Sequence, residues 1–153
     1  MKTRKVTEKD LDKLVFLSKK MTEFHSDIDP YYDIYTKYEN EEEFFTDQLK
    51  KKNLLYIVTE NEKREIVAFA SAKIISIPKT RAPKIGVLIE NFVLKEYRGK
   101  GIGLAHLNYR MEWFKKNKVK YVEMTVDARN KKALSLWKKQ GFENYQIKLK
   151  KNL

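Results

Sequence analysis

The chain has 153 residues, a mass of 18.3 kDa and a formal net charge of +12, with 42% hydrophobic residues. That is one domain's worth of chain, and long enough to bury a core without staples. Zero cysteines and two histidines (His25 and His106) exclude a disulfide framework, a thiolate nucleophile, a cysteine-ligated zinc and a metal site built from histidine alone. No apolar run approaches the roughly 18 residues needed to span a bilayer. The opening MKTRKVTEKDLDKL carries no apolar signal core, so a cytoplasmic location is expected. Charge is uneven: residues 1–60 hold 11 basic and 13 acidic side chains (net −2), leaving 22 and 8 (net +14) for 61–153. A basic half suits a polyanion, either nucleic acid or a phosphorylated cofactor, but is equally a solvated lysine coat.

Thr7 followed by Asp10 reads as a capping box with Asp in place of Glu, opening a helix to about Phe24 whose apolar stripe is Leu11, Leu14, Val15, Met21 and Phe24. Residues 27–38 are aromatic and acidic, with Pro30 as a breaker, and read as a loop or short broken helix. A second helix is expected over 41–51. Strands follow at 54–59, 66–77 and 84–94, the last two forming a hairpin across the Pro78–Pro83 break. Leu104, Leu107, Met111 and Phe114 recur at helical spacing over 102–117. Residues 121–126 alternate as a strand, and 130–140 form a helix with Asn130 as N-cap and Gly141 as stop. Residues 142–149 alternate again and are expected to end the chain as a strand. No internal repeat, low-complexity tract or linker interrupts this order, so a single domain over 1–153 is expected.

The stretch IENFVLKEYRGKGIGLAHL carries the most chemistry. A strand ends near Leu94, and Gly99, Gly101 and Gly103 lead into a helix. Glycine admits positive φ and lets phosphate oxygens approach backbone amides, while the first turn of a helix offers unpaired N–H groups at the positive end of its dipole. Arg98 and Lys100 add charge. A Walker loop would need Gly-Lys-Ser/Thr at its end, and Gly-Ile-Gly-Leu supplies neither. A dinucleotide fingerprint would need a third glycine where Leu104 stands, within a series of parallel βαβ units that the first half does not offer.

Arg98-Gly99-Lys100-Gly101-Ile102-Gly103 matches R/Q-x-x-G-x-G/A, the coenzyme A turn of the GNAT acetyltransferases. The segment from Asn130 through Ala133, Leu136 and Trp137 to Gly141-Phe142 is similar to that superfamily's second signature, N-x-x-A-x-x-L-Y-x-x-x-G-F. One helix and one strand separate the two blocks, as in the family, and the chain resembles it over essentially its whole length. The resemblance implies a mixed α/β fold: a central sheet of about six to seven strands, splayed at the acetyl-coenzyme A site, with about four helices. It implies direct transfer of acetyl from the thioester to a primary amine, with acetyl-coenzyme A as co-substrate and no metal. The backbone of Phe92, Val93 and Leu94 would pair with the pantetheine arm. Amides from Arg98 to Leu104 (including Lys100, Ile102 and Gly103) would hold the pyrophosphate. Asn130 would touch the arm or cap its own helix, Ala133 would leave room, and Trp137 would line the channel.

An amine nucleophile must lose a proton, so a base or a water relay is required. Glu90, flanked by Leu88, Ile89 and Phe92, is the best-placed carboxylate, and apolar surroundings would raise its pKa. The alternative is an ordinary solvent-facing strand residue. Glu123 and Asn91 are weaker relay candidates. Trp137 stands where many relatives carry a tyrosine able to protonate the leaving thiolate, and indole N–H is no usable acid. Tyr109 or Tyr145 could serve instead, or the chain could be a non-catalytic coenzyme A-binding module. Residues 27–47 hold eight acids against Lys37, interleaved with Tyr31, Tyr32, Tyr35 and Tyr38. A cationic acceptor (a polyamine, a lysine side chain or a protein N-terminus) would suit them, as would no ligand at all. His25 and His106 read as structural. A nucleic-acid partner lacks a clustered basic stripe or a recognised motif, a membrane partner is not expected, and a homodimer is plausible by analogy.

Overall fold

The computed structural model of the chain describes residues 1–27 and 40–151. Strands β1 (Lys2–Lys5), β2 (Leu54–Glu60), β3 (Ile66–Ser76), β4 (Lys84–Val93) and β5 (Tyr121–Met124) form one sheet in chain order. The first four pair antiparallel, and β5 joins β4 in parallel after the crossover helix α3 (Ile102–Lys116). Helices α1 (Leu11–Ser26) and α2 (Glu41–Lys50) precede β2, and α4 (Lys131–Lys139) follows β5.

Period-two alternation divides the core. Tyr56, Val58, Phe69 and Phe92 pack with Leu14 and Leu17 of α1 and Phe45 of α2 on one face. Leu55, Ile57, Ala70, Ala72 and Leu88 pack with Leu107 and Phe114 of α3 on the other. Gly86 permits the close seating of α3, since a Cβ there would lie 2.6 Å from the Phe114 ring.

The expected capping box is present. Asp10 Oδ2 accepts from the Thr7 backbone N–H at 2.8 Å and from the Thr7 hydroxyl at 2.9 Å, and a single 3-10 turn then opens α1. The same carboxylate takes a two-pronged contact from Arg4 (2.7 and 2.8 Å), whose guanidinium also reaches Glu60 at 2.6 Å. This triad ties β1, the head of α1 and β2 together.

Two sequence expectations are corrected. The sheet has five strands among the described residues rather than six or seven, because 142–149 form no strand. Residues 143–149 are exposed and donate no backbone hydrogen bond to any described residue. Their alternation supplies a strand's surface, but they pair with no described strand. Conversely, β1 was not anticipated: KTRK is too short and too charged to show a period, and becomes a strand because β2 offers a complementary edge from Ile57 to Glu60. The acidic, tyrosine-rich loop falls almost wholly at 28–39, outside the described residues.

The Arg4 hydrogen bond, opposed by burial, holds the Asp10 carboxyl down to about 2, from 3.8. Folding therefore favours its charged form. Replacing Asp10 with Asn lowers unfolding free energy by about 1–3 kcal/mol at neutral pH. In urea titrations over a pH series, the gap from the parent chain is full above about pH 4 and closes as pH falls through 2.

Candidate active site

The parallel pairing of β4 with β5 runs only from Ile85–Tyr121 to Leu88–Met124. Beyond Leu88, β4 continues to Val93 with β3 on one side and no described strand on the other. The divergence has a local cause. Ala70 pairs with Asn91 and Ala72 with Leu88, so Ser71 alone faces both Ile89 and Glu90. This bulge bends β4 where its neighbour is lost, and re-aims the side chains that follow.

The bulge is held from both faces. On the side of α3, the Arg110 guanidinium is 1% exposed and donates to Ser71 O at 3.2 Å, Glu90 O at 3.0 Å, His106 O at 3.1 Å and Asn91 Oδ1 at 3.3 Å. All four acceptors are neutral oxygens, and burial lowers its pKa to about 10. Fully buried His106 lies between Asn91 Oδ1 (3.0 Å from Nδ1) and the Thr59 hydroxyl (2.8 Å from Nε2). Burial first, then the positive charge of Arg110, push its pKa down to about 3, so it is neutral. With Asn91 Oδ1 accepting, Nδ1 bears the proton and Nε2 accepts from Thr59.

On the opposite face the Glu90 carboxylate takes a 2.6 Å hydrogen bond from the Ser71 hydroxyl. Burial raises the Glu90 pKa, and that hydrogen bond opposes the rise. Tyr56, the β2 register partner of Ser71, is buried nearby; burial and then the Glu90 charge keep its phenol protonated. The C-terminal end of α1 reaches the same region. The Arg98 guanidinium lies 4.8 Å from the Phe24 ring, and His25 senses the charge of Asp127, just beyond β5, although burial lowers its pKa overall.

At the end of β4 the chain makes one 3-10 turn and enters the glycine turn. Gly99 and Gly101 take φ of +77° and +79°, with open space around the position of each missing Cβ. The constraint there is conformation rather than room. The first backbone bond into α3 runs from Ala105 N–H to Gly101 O, and the amides of 99–104 donate none to the described backbone. Six amides without a described backbone acceptor, at a helix N-terminus that also carries Lys100, make an arrangement suited to an anion.

The acetyltransferase (GNAT) family model matches residues 20–142. The chain belongs to the GNAT family. It is 30% identical over 144 residues to the uncharacterized N-acetyltransferase MJ1207 of Methanocaldococcus jannaschii, covering 94% of this chain and 61% of that protein. The chain therefore spans about three fifths of the length of that curated relative. Among solved structures, a tetramutant of the BH1408 protein from Bacillus halodurans superposes with a TM-score of 0.88 at 18% identity over 100% of both chains. A predicted acetyltransferase from Clostridium acetobutylicum, solved with acetyl-CoA, gives 0.77 at 20% identity over 99% of this chain and 95% of that one. The matched region is thus an acetyltransferase-family domain, with the mixed α/β fold that the motifs implied.

Within this GNAT framework the residues singled out from sequence fall into three groups. Glu90, Phe92, Val93 and Leu94 lie on or just after the free stretch of β4, and Gly99 to Leu104 form the amide cradle. Arg98 sits between them as a strut. Its side chain turns back to donate to Val93 O at 2.9 Å and lies over Phe92 and Phe24, so this guanidinium braces the turn and occupies one carbonyl of the strand edge. Across the gap, Asn130 uses its side-chain oxygen to cap α4 by accepting from Ala133 N–H at 3.1 Å. Trp137 packs edge-on against Phe142, ring centres 5.7 Å apart. Glu123 is half-buried in β5, opposite Val87 and away from Glu90 in register. Tyr109 and Tyr145 are both exposed.

Sequence reading missed Ser71, Tyr56 and Arg110. The available signal was His106 and Arg110, four apart on a helix face otherwise carrying Ile102, Leu107 and Phe114. Two polar residues on an apolar face mark a buried network. Arg110→Met strands the Ser71 and Glu90 carbonyls, and is expected to cost about 2–4 kcal/mol in urea unfolding. Gly101→Glu forces a side chain into the left-handed region and a negative charge into the cradle. It is expected to abolish acetyl-CoA binding measured by calorimetry while leaving the circular dichroism spectrum intact.

Proposed function

We propose that the protein is an acetyl-CoA-dependent N-acetyltransferase that transfers acetyl directly to a primary amine, with Glu90 as general base. The observation that carries this reading is the Glu90 carboxylate, held on Ser71 at the bulge where β4 loses its parallel neighbour. The amides of 99–104 would hold the pyrophosphate of the co-substrate, and the free edge of β4 beyond Leu88 would face its pantetheine arm. Ala133, on the first turn of α4, and Trp137 would line the far wall.

Transfer forms one C–N bond and breaks one C–S bond. One proton leaves the amine and one reaches the thiolate sulfur. Glu90 is suited to the first of these, because burial brings its pKa up towards the range where a carboxylate removes a proton efficiently. Trp137 cannot supply the second. Its packing against Phe142 supports a structural role, and the sulfur would take its proton from solvent or from an acceptor-derived ammonium relayed through Glu90.

The acceptor side is the face shared by Glu90, Tyr56 and the end of α1. In sequence, residues 27–47 carry eight acids and one base. This charge favours a cationic acceptor such as a polyamine, a lysine side chain or a protein N-terminus. The alternative, a coenzyme A-binding module without turnover, is favoured by one feature, the missing tyrosine at Trp137.

Free-thiol release from acetyl-CoA against a panel of cationic and neutral amines tests the reading. Glu90→Gln is expected to lower kcat about 10²- to 10⁴-fold with little change in acetyl-CoA affinity. In the parent chain activity rises with pH as Glu90 ionises, on a limb above the ordinary 4.5 of a glutamate, and that limb is lost in Glu90→Gln. Binding of acetyl-CoA without thiol release on any amine would establish the binding module instead.

A further inference from the structure

Eleven basic residues and no acid stand in three short segments, 50–53, 73–84 and 115–120. Along the sequence these are scattered lysines. The fold gathers them at one end of the sheet. Strand β2 begins at Leu54 opposite Lys73, β3 ends at Ser76 opposite Lys84, and α3 ends at Lys116 before the turn into β5. The glycine turn opens α3 at its other end, roughly 22 Å away along the helix axis at 1.5 Å per residue. This basic end is therefore separate from both the amide cradle and Glu90.

Little compensates the charge there. Among the described residues its ion pairs are Lys50 with Asp47 and Lys115 with Glu112, each between near neighbours on one helix. A solvated coat that keeps a protein soluble interleaves both signs. Here one sign is gathered, at a repulsive cost that a polyanion would remove.

The end is also concave. An open groove of about 550 Å³ is lined by Lys52, Asn53, Lys73, Lys84 and Asn117, together with residues 74–76 of β3. Lys84 Nζ donates to Asn117 O at 3.4 Å, which ties the head of β4 to the end of α3. The two asparagines add a second chemistry. Asn53 donates its side-chain amide to Ile74 O at 3.1 Å, and Asn117 donates to Trp113 O at 2.8 Å. Each side-chain oxygen is left without a donor among the described residues. The groove thus offers three ammonium donors beside two amide acceptors. An inorganic polyanion uses only the first. A nucleotide strand uses both: phosphates meet the lysines, and the N–H groups of unpaired bases meet the asparagine oxygens. The concavity favours one strand, since a bilayer is flat and a duplex is a convex cylinder whose bases are already paired.

We propose that this groove binds a single nucleic-acid strand, with Lys52, Lys73 and Lys84 on its phosphates and Asn53 and Asn117 on its bases. The inference stands whether or not Glu90 is a base.

Fluorescence anisotropy of a labelled single-stranded RNA of about 12 nucleotides, titrated with the full chain over a salt series, tests it without reference to catalysis. Binding is expected, and a duplex of the same sequence is expected to bind more weakly. Lys52→Gln, Lys73→Gln and Lys84→Gln together are expected to flatten the slope of log affinity against log salt by about 2. The same variant should bind about 100-fold more weakly at about 0.1 M salt. A control carrying Lys2→Gln, Lys9→Gln and Lys63→Gln loses the same charge elsewhere and is expected to keep most of the affinity. Circular dichroism checks that both variants are folded. An absence of RNA binding overturns the proposal, even where phosphatidylserine vesicles or inorganic polyphosphate are bound. So does a duplex that binds as tightly as the single strand. Equal loss in the two triple variants also overturns it, because net charge would then account for the binding.

Discussion

One extra residue in β4 organises the protein. Because Ser71 faces both Ile89 and Glu90, the strand bends where β5 falls away, and a sheet that would otherwise be continuous opens. The bend leaves backbone groups in the middle of the protein without ladder partners, a cost that must be met locally. A buried arginine meets it. Arg110 takes the carbonyls of Ser71 and Glu90 together, from a helix whose first turn also forms the anion cradle. One helix therefore sets both the turn of free amides and the place where the carboxylate sits.

The electrostatics of the two faces are arranged in opposite senses. On the α3 side a buried cation is surrounded by neutral oxygens, and burial together with its field keeps His106 uncharged. On the other side a partly buried carboxylate has, among the described residues, one hydroxyl donor and no cation bonded to it. An arginine salt bridge to Glu90 would have lowered its pKa and made it a poor base. Placing the guanidinium on the carbonyl of Glu90 rather than on its side chain keeps the brace while leaving the carboxylate basic. The distant Arg4–Asp10–Glu60 triad shows the contrasting arrangement. There the acid is fully paired, its pKa is depressed, and its role is to fasten elements together.

Much of this was legible in the sequence because the physical demands are local. Positive φ at two turn positions calls for glycine, a helix N-terminus after a strand calls for Gly99 to Gly103, and the cap at Thr7 and Asp10 declares α1. The stop at Gly141 fits the Schellman geometry found there. Glu90 could be singled out because its neighbours in the chain are apolar. Ser71 and Arg110 could not, since each matters through contacts 19 to 39 residues away in sequence. Arg98 was read as a phosphate ligand from its position in the motif, while its side chain turns back onto Val93 and two aromatic rings.

Sequence by itself supplied the family's motifs, the order of the four helices and of β2 to β5, the glycine turn and the candidate base, because each rests on periodicity, conformation or adjacency within a short window. Tertiary structure decided which strands found partners. KTRK became a strand because β2 offered it an edge, whereas 142–149, far more strand-like in pattern, pair with no described strand. A strand's alternation encodes which faces it can bury, but its hydrogen bonds belong to a neighbour, and the whole fold settles whether that neighbour lies within reach.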